Sequence, residues 1–167
     1  MRATKLALRS LAIRHQQLTA EVAGLDAHLE RLVVAAAPAL AGVKGIGTDT
    51  AAALLVAAGD NPSRLRSEAA FARLCGVAPL PASSGKTVRH RLNRGGARDA
   101  NRALHLLAVG RMGWDPRTRA YVARRTAEGL AKPEILRCLK RYLARELFPL
   151  LATPAATAAA PPPVPAA

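Results

Sequence analysis

The sequence is short of aromatic rings, of acidic side chains and of cysteine. Aromatic residues make up 3% of it, as Phe71, Trp114, Tyr121, Tyr142 and Phe148. That argues against a stacking platform for unpaired bases, which needs successive exposed rings. Eleven acidic residues face 25 lysines and arginines, for a net charge of +14. The five aspartates, Asp26, Asp49, Asp60, Asp99 and Asp115, are scattered over helix starts, turns and one coiled-coil face. No metal ligand is assigned. Cys75 and Cys138 cannot build a disulfide framework or a zinc site. Both sit among apolar residues and read as buried free thiols. No uncharged apolar run is long enough to span a bilayer, and no signal peptide opens the chain. A cytoplasmic protein with no membrane partner is expected. With 167 residues there is room for one domain with a core, plus an extension. The basic excess calls for a polyanionic partner, first of all nucleic acid held through its phosphates.

Residues 4–36 read as one long helix. Leu11, Leu18, Leu25 and Leu32 recur seven apart, and a second row runs Leu8, His15, Val22, Leu29. The rows interleave at spacings of three and four, the a/d pattern of a coiled coil. His15 reads as a polar residue that sets register, not as a ligand. Self-pairing or docking on a partner helix is predicted. Pro38 ends the helix. Next, Lys44-Gly45-Ile46-Gly47 leads into an alanine-rich helix with Thr48 as N-cap. This turn resembles the hairpin of helix-hairpin-helix DNA-binding modules. Its glycines let backbone approach a phosphate, the helix amides face it, and Lys44 adds charge. An ordinary tight turn between core helices is an equal reading. Gly59 closes that helix before Asp60-Asn61-Pro62. Ser67 then caps a short helix with Ala70, Phe71, Leu74 and Cys75 inward, closed by Gly76.

Turn residues and charge concentrate over residues 75–105. Pro79 and Pro81 end regular structure. Ser83-Ser84-Gly85 makes a turn. Lys86, Arg89, Arg91, Arg94, Arg98 and Arg102 follow, with Asp99 the only acid among them. Residues 77–94 read as a loop or short hairpin, ended by Gly95-Gly96. From Ala97 an amphipathic helix turns Ala100, Leu104, Leu107 and Ala108 inward. Arg98 and Arg102 share another face, suited to phosphate. Asp115-Pro116 starts a helix that passes Tyr121 and stops near Gly129. Pro133 opens a last helix to about Leu151. Its Arg137, Lys140, Arg141 and Arg145 form a second basic surface, although most single charges there read as solvated helix face. The tail from Ala152 onward, uncharged and rich in alanine and proline, reads as disordered.

Several of these pieces fit one pattern. Gly76-Val77-x-Pro79, then Ser84-Gly85, then basic residues into Gly95-Gly96 and Asn101-Arg102-Ala103-Leu104 resemble the C-terminal domain of the DEDD transposases. That group comprises the insertion sequences numbered one-ten, one-sixteen and nine-oh-two. Gly45-Ile46-Gly47, Asp115-Pro116-Arg117-Thr118 and Arg137-Cys138-Leu139-Lys140-Arg141-Tyr142 extend the resemblance over nearly all but the last stretch. Each motif is weak alone, but the order and spacing are specific.

The resemblance implies that Ser84, the serine before the glycine, attacks a DNA phosphodiester and holds the broken end as a phosphoserine ester. It implies DNA as partner and a guide RNA for the full-length enzyme. It also implies magnesium, held by three Asp and one Glu of a separate N-terminal RuvC-like domain. The long helix begins almost at Met1, so that domain is expected to be missing and this chain to be inactive alone. Without the resemblance, a serine in such a turn is most often structural. A hydroxyl needs a base or a metal to become a nucleophile. His90 and His105 are candidate bases, with no His–Asp pair nearby in sequence. Tyr121 is a second candidate nucleophile, of the tyrosine-recombinase kind, though burial against the core is the simpler expectation.

The sequence therefore predicts an all-α fold. A coiled-coil helix covers residues 1–37. A compact helical domain covers 38–151, with a helix-hairpin-helix-like element and an inserted serine loop. A disordered tail covers 152–167. The predicted function is the DNA-binding and serine-nucleophile domain of a transposase, homo-oligomeric through its N-terminal helix. Ser84 is the catalytic candidate. Lys44, Gly45, Gly47, Lys86, Arg89, Arg91, Arg94, Arg98 and Arg102 are the nucleic-acid candidates. A noncatalytic helix-hairpin-helix DNA-binding module and a coiled-coil assembly protein are the alternatives.

Overall fold

The structure is a computed structural model and describes residues 2–59, 65–82 and 90–152. Among these, seven helices and one two-stranded ribbon make a mostly all-α fold, as the sequence predicts. The expectations for Asp60-Asn61-Pro62, for residues 83–89 and for the tail from 153 lie outside the described residues.

The long helix α1 (Arg2–Ala36) is rich in Ala, Leu and charged straight-chain residues, the best helix formers. It stops where Pro38 forces its predecessor out of helical geometry, with Ala37 at φ −149°. Residues 3–28 are exposed along their whole length. Leu11, Leu18, Leu25 and Leu32 are all exposed. Only the last turns reach the core, through Leu29, Val33 and Ala37. Of the second row only Leu29 docks, and the contact continues four apart at Val33 and Ala37, while Val22 and the leucines seven apart stay on the surface.

Pro38 opens α2 (Pro38–Ala41), a single turn that buries Leu40. A turn over residues 42–47 leads to α3 (Thr48–Ala58). Gly47, not Thr48, is its N-cap, and no side chain caps it. Thr48 instead takes the first helical position, where its own amide is one of the unbonded four. Gly59 closes α3 at φ 70°, as expected. Ser67 caps α4 (Glu68–Leu74), its hydroxyl accepting from the Ala70 amide at 3.2 Å. Phe71, Ala72 and Cys75 are buried, whereas Ala70 and Leu74 are only half-buried. Ala72 joins the core because α4 lies against both α3 and α7 (Lys132–Ala152), so its inward face is broader than one stripe.

α5 (Arg98–Trp114) buries Ala100, Ala103, Leu104, Leu107 and Ala108 between α3 and α7. The Asp115 carboxylate caps α6 (Pro116–Ala127), accepting from the Thr118 amide at 3.0 Å. α7 buries Ile135, Leu139, Leu143 and Leu147 four apart, with Ala144 beside them. Each fully buried Leu, Ile or Phe here contributes about 2 kcal/mol of transfer free energy. The exposed leucines of α1 contribute none of it.

Between α4 and α5, β1 (Leu80–Pro81) pairs antiparallel with β2 (His90–Arg91), Leu80 opposite Arg91 and Pro81 opposite His90. Pro81, expected to end regular structure, lies instead in a strand. Both strands of a two-stranded ribbon are edges, where proline's missing N–H need not break a ladder. Among the described residues no helix is long and apolar enough to cross a membrane.

Candidate nucleic-acid interface

The foot of the serine loop is a backbone clasp. Gly76 has φ 64° and Gly96 φ 89°, conformations that side chains disfavour. A Cβ on Gly76 would stand 2.2 Å from the Gly95 carbonyl oxygen. One on Gly96 would stand 2.4 Å from the Gly76 nitrogen and 2.6 Å from the Leu74 oxygen. Only glycines permit this approach. The Ala97 amide donates to the Leu74 carbonyl at 2.7 Å. Asn101, on the first turns of α5, donates from Nδ2 to the carbonyls of Cys75 and Gly76 at 2.9 and 3.1 Å. The two ends of the loop are therefore locked together.

Above the clasp, residues 76–79 and 90–93, the latter including β2, wall one side of a cleft of about 540 Å³. The end of α6 and the flank of α7 wall the other. Arg91, Arg125, Arg137, Lys140, Arg141 and Arg145 line it, against the acids Glu128 and Glu134. Most of these cations are already engaged. Glu68 bonds Arg141 Nη2 at 2.6 Å and Arg145 Nε at 2.7 Å. Hydrogen bonds from Arg141 and then Arg145 hold the Glu68 carboxyl at about 2, down from 4.5. Arg125 pairs with Glu128, and Arg137 stands 4.0 Å from Glu134.

Arg91 and Lys140 stand outside these pairs, and of the two only Lys140 is buried. It is only 7% exposed, and its Nζ donates to Asn101 Oδ1 at 2.8 Å. Among the described residues it forms no ion pair. Burial first, and then Arg137, lower its pKa. Asn101 thus bridges the lysine and the loop's foot.

The two other groups with chemistry to offer are held in check. The Tyr121 ring meets Tyr142 edge-on at 5.5 Å. Burial first, and then Cys138, push the Tyr121 hydroxyl up, which makes a nucleophilic phenolate harder to form. The Cys75 thiol is buried and pushed up to about 12 by that burial, as suits an inert core thiol. Cys138 is half-buried at the cleft.

The predicted site residues fall into two groups. Ser84, Lys86 and Arg89 lie outside the described residues. Arg91, Arg94, Arg98 and Arg102 are all exposed and stand on the loop stem or at the start of α5. None of the four forms an ion pair among the described residues. Lys44, Gly45 and Gly47 sit elsewhere. The Lys44 ammonium lies 4.6 Å from the centre of the Trp114 ring, and a Cβ on Gly45 would meet Trp114 at 3.0 Å. Trp114 ends α5 and Arg98 begins it, so about 24 Å separate the groups along the helix. Asp49 in the first turn of α3 also opposes an anion there. His90 lines the cleft from β2, whereas His105 is exposed on α5.

Among the described residues no three His, Cys, Asp or Glu side chains come together. These residues therefore do not fit a magnesium site, and no step is assigned to one. Sequence reasoning missed Asn101 and Glu68 as site-forming residues. An asparagine between Ala100 and Ala103, on the buried side of an amphipathic helix and just after Gly95-Gly96, was the available signal.

Comparison with known proteins identifies the family. The family described as "Transposase IS116/IS110/IS902 family" matches residues 37–123, which include the Gly45–Gly47 turn, the clasp, the Ser84 segment and α5. A protein of Streptomyces coelicolor, "Insertion element IS110 uncharacterized 43.6 kDa protein", is 36% identical over 143 residues. The match covers 85% of this chain and 35% of that protein, so the chain spans about a third of the relative's length. With over half of its residues matched by the family, the chain belongs to the IS116/IS110/IS902 transposases.

Proposed function

We propose that this chain binds DNA and supplies Ser84 as the serine nucleophile of a transposase guided by a structured RNA. One observation carries the reading. The described residues on either side of the Ser84 segment are joined by a glycine clasp, beside an exposed arginine row and a cleft lined by six cations. Such a setting suits a phosphodiester, which needs charge beside it and a fixed nucleophile-bearing loop. In the step, Ser84 Oγ attacks phosphorus and the P–O bond to the leaving sugar oxygen breaks. The hydroxyl proton passes to a base, and the leaving oxygen takes up a proton. A phosphoserine ester replaces the phosphodiester, so a sugar hydroxyl can later reseal the strand without outside energy. His90 is the candidate base on the loop's own stem. Strand transfer also requires the family's acidic metal-holding domain, in the same polypeptide or supplied separately.

The experiment combines this chain with such a domain and runs the products on a denaturing gel. Ser84→Ala should remove the covalent protein–DNA adduct while DNA binding stays nearly unchanged. An adduct that survives Ser84→Ala and disappears in Tyr121→Phe would overturn the serine assignment. Robust cleavage by this chain alone would remove the need for the acidic domain.

The same reading gives α1 a role in assembly, by pairing its Leu11, Leu18 and Leu25 stripe with a second copy. Leu18→Asp with Leu25→Asp should give a monomer that keeps its core, since neither leucine touches the core. Sedimentation of the unmodified chain as a monomer at high concentration would sink this part.

A further inference from the structure

Lys140 has an electrostatic problem that the fold leaves open. A buried ammonium normally has a carboxylate against it, because burial without one is costly. Here the described partner is the neutral Oδ1 of Asn101. Residues 83–89 contain no acid in sequence. The nearby acids are engaged, Glu68 with Arg141 and Arg145, Glu128 with Arg125, and Glu134 with Arg137 and the Ala131 amide. Arg125 lines the same cleft and keeps a buried Nε with no bond partner. The cleft therefore holds net positive charge, in a volume of about 540 Å³ that suits a nucleotide-sized ligand.

We propose that this cleft holds one phosphate of a DNA strand, with Lys140 as its central cation and Arg91, Arg125 and Arg137 around it. Its position supports a strand rather than a free anion. One wall is formed by residues 76–79 and 90–93, and the exposed Arg91 and Arg94 stand on or beside it. A phosphate in the cleft is thus a near neighbour of those met by the exposed arginine row. Asn101 ties the cleft to the clasp, bonding Lys140 on one side and the carbonyls of Cys75 and Gly76 on the other. The inference rests on the DNA-binding part of the function proposed above and is independent of the attack by Ser84.

The test uses the full chain labelled with ¹³C at lysine, whose Cε–H signals report each ammonium. Lys140→Met identifies the Lys140 signal. A short single-stranded DNA oligonucleotide, the same sequence with uncharged methylphosphonate linkages, and inorganic phosphate are titrated separately. The Lys140 signal should move with the phosphodiester DNA and stay still with the methylphosphonate. Inorganic phosphate should move it only at far higher concentration. Lys140→Met should also lower the salt slope of DNA binding by about one unit, as removing one cation from the phosphate backbone does. DNA that binds while leaving the Lys140 signal in place would overturn the inference and leave the proposed function standing. A free-phosphate site would show instead as inorganic phosphate moving the signal more readily than DNA, which also overturns it. Should Lys140→Met fail to fold, Lys140→Arg identifies the signal equally well. No DNA binding at all by the unmodified chain would sink the proposed function and this inference together.

Discussion

Two basic surfaces of this chain look alike in sequence and meet opposite fates in the fold. The loop stem and the start of α5 expose Arg91, Arg94, Arg98 and Arg102, with no ion pair among the described residues. The α7 surface carries Arg137, Lys140, Arg141 and Arg145. There, three of the four lie against a glutamate and the fourth is buried against an amide. The difference comes from where the few acids land. Asp99 is exposed in the first turn of α5 and forms no ion pair among the described residues. Glu68, on α4 and 73 residues before Arg141, bonds two arginines at once. An arginine held this way must give up a charge-assisted bond before it can gain one to phosphate. A count of charges identifies the class of partner, and the topology decides which charges are free to meet it.

The largest effect should come from the free surface. Replacing Arg89, Arg91 and Arg94 by alanine should flatten the salt dependence of DNA binding by about one unit for each phosphate left without its arginine. Replacing Arg141 and Arg145 by alanine should leave that slope nearly unchanged and lower stability instead, since Glu68 would lose its partners. Binding titrations from low to high salt, beside denaturation curves, check both. Equal slopes for the triple variant and the unmodified chain would remove the loop stem from the interface. A large slope change from Arg141 and Arg145 would erase the distinction between the two surfaces.

Much of the fold was legible because its signals are local. Ser67, Asp115-Pro116 and Gly59 mark helix ends through bonds within one turn, and the structure has them in those roles. The spacing of Ala100, Leu104, Leu107 and Ala108 likewise named the inward face of α5. What escaped the reading acts across long separations. Gly76 meets Gly95 and Gly96 backbone to backbone, an approach that no pattern within either segment encodes. Glu68 lies far from its arginines in sequence, and Asn101 lies 39 residues from Lys140. Local rules also misled where two residues compete for one role. Thr48 has the better capping side chain, yet Gly47 takes the cap. The α1 stripe shows the opposite limit. Its periodicity was plain, but a seven-residue row says nothing of which row meets the core, and the one that does runs through Leu29 and Val33. Ser84 was legible only through resemblance, since a serine in a turn carries no chemical signature of its own.

A smaller effect sharpens the comparison from the other side. Glu68→Gln should release Arg141 and Arg145 and make the α7 surface behave more like the loop stem. The salt slope of DNA binding should then rise by as much as two units, about one for each freed arginine. The same change should lower stability modestly at neutral pH. It removes two charge-assisted bonds and an acidic side chain from the first turn of α4, where the helix dipole favours one. The pairs are partly exposed, so solvent screening keeps this loss small. Its pH dependence has a definite sign. The Glu68 carboxyl is depressed in the folded chain, from 4.5 to about 2. Its contribution is therefore complete above pH 4.5 and is lost as the pH falls toward 2, where the carboxyl takes up a proton. The unmodified chain and Glu68→Gln should differ in denaturation midpoint at pH 7 and converge as the pH approaches 2. The arginines stay charged throughout, so they cannot produce that convergence. A difference in midpoint that persists unchanged at low pH would mean that Glu68 stabilises the chain through packing, and that Arg141 and Arg145 are not held by its charge.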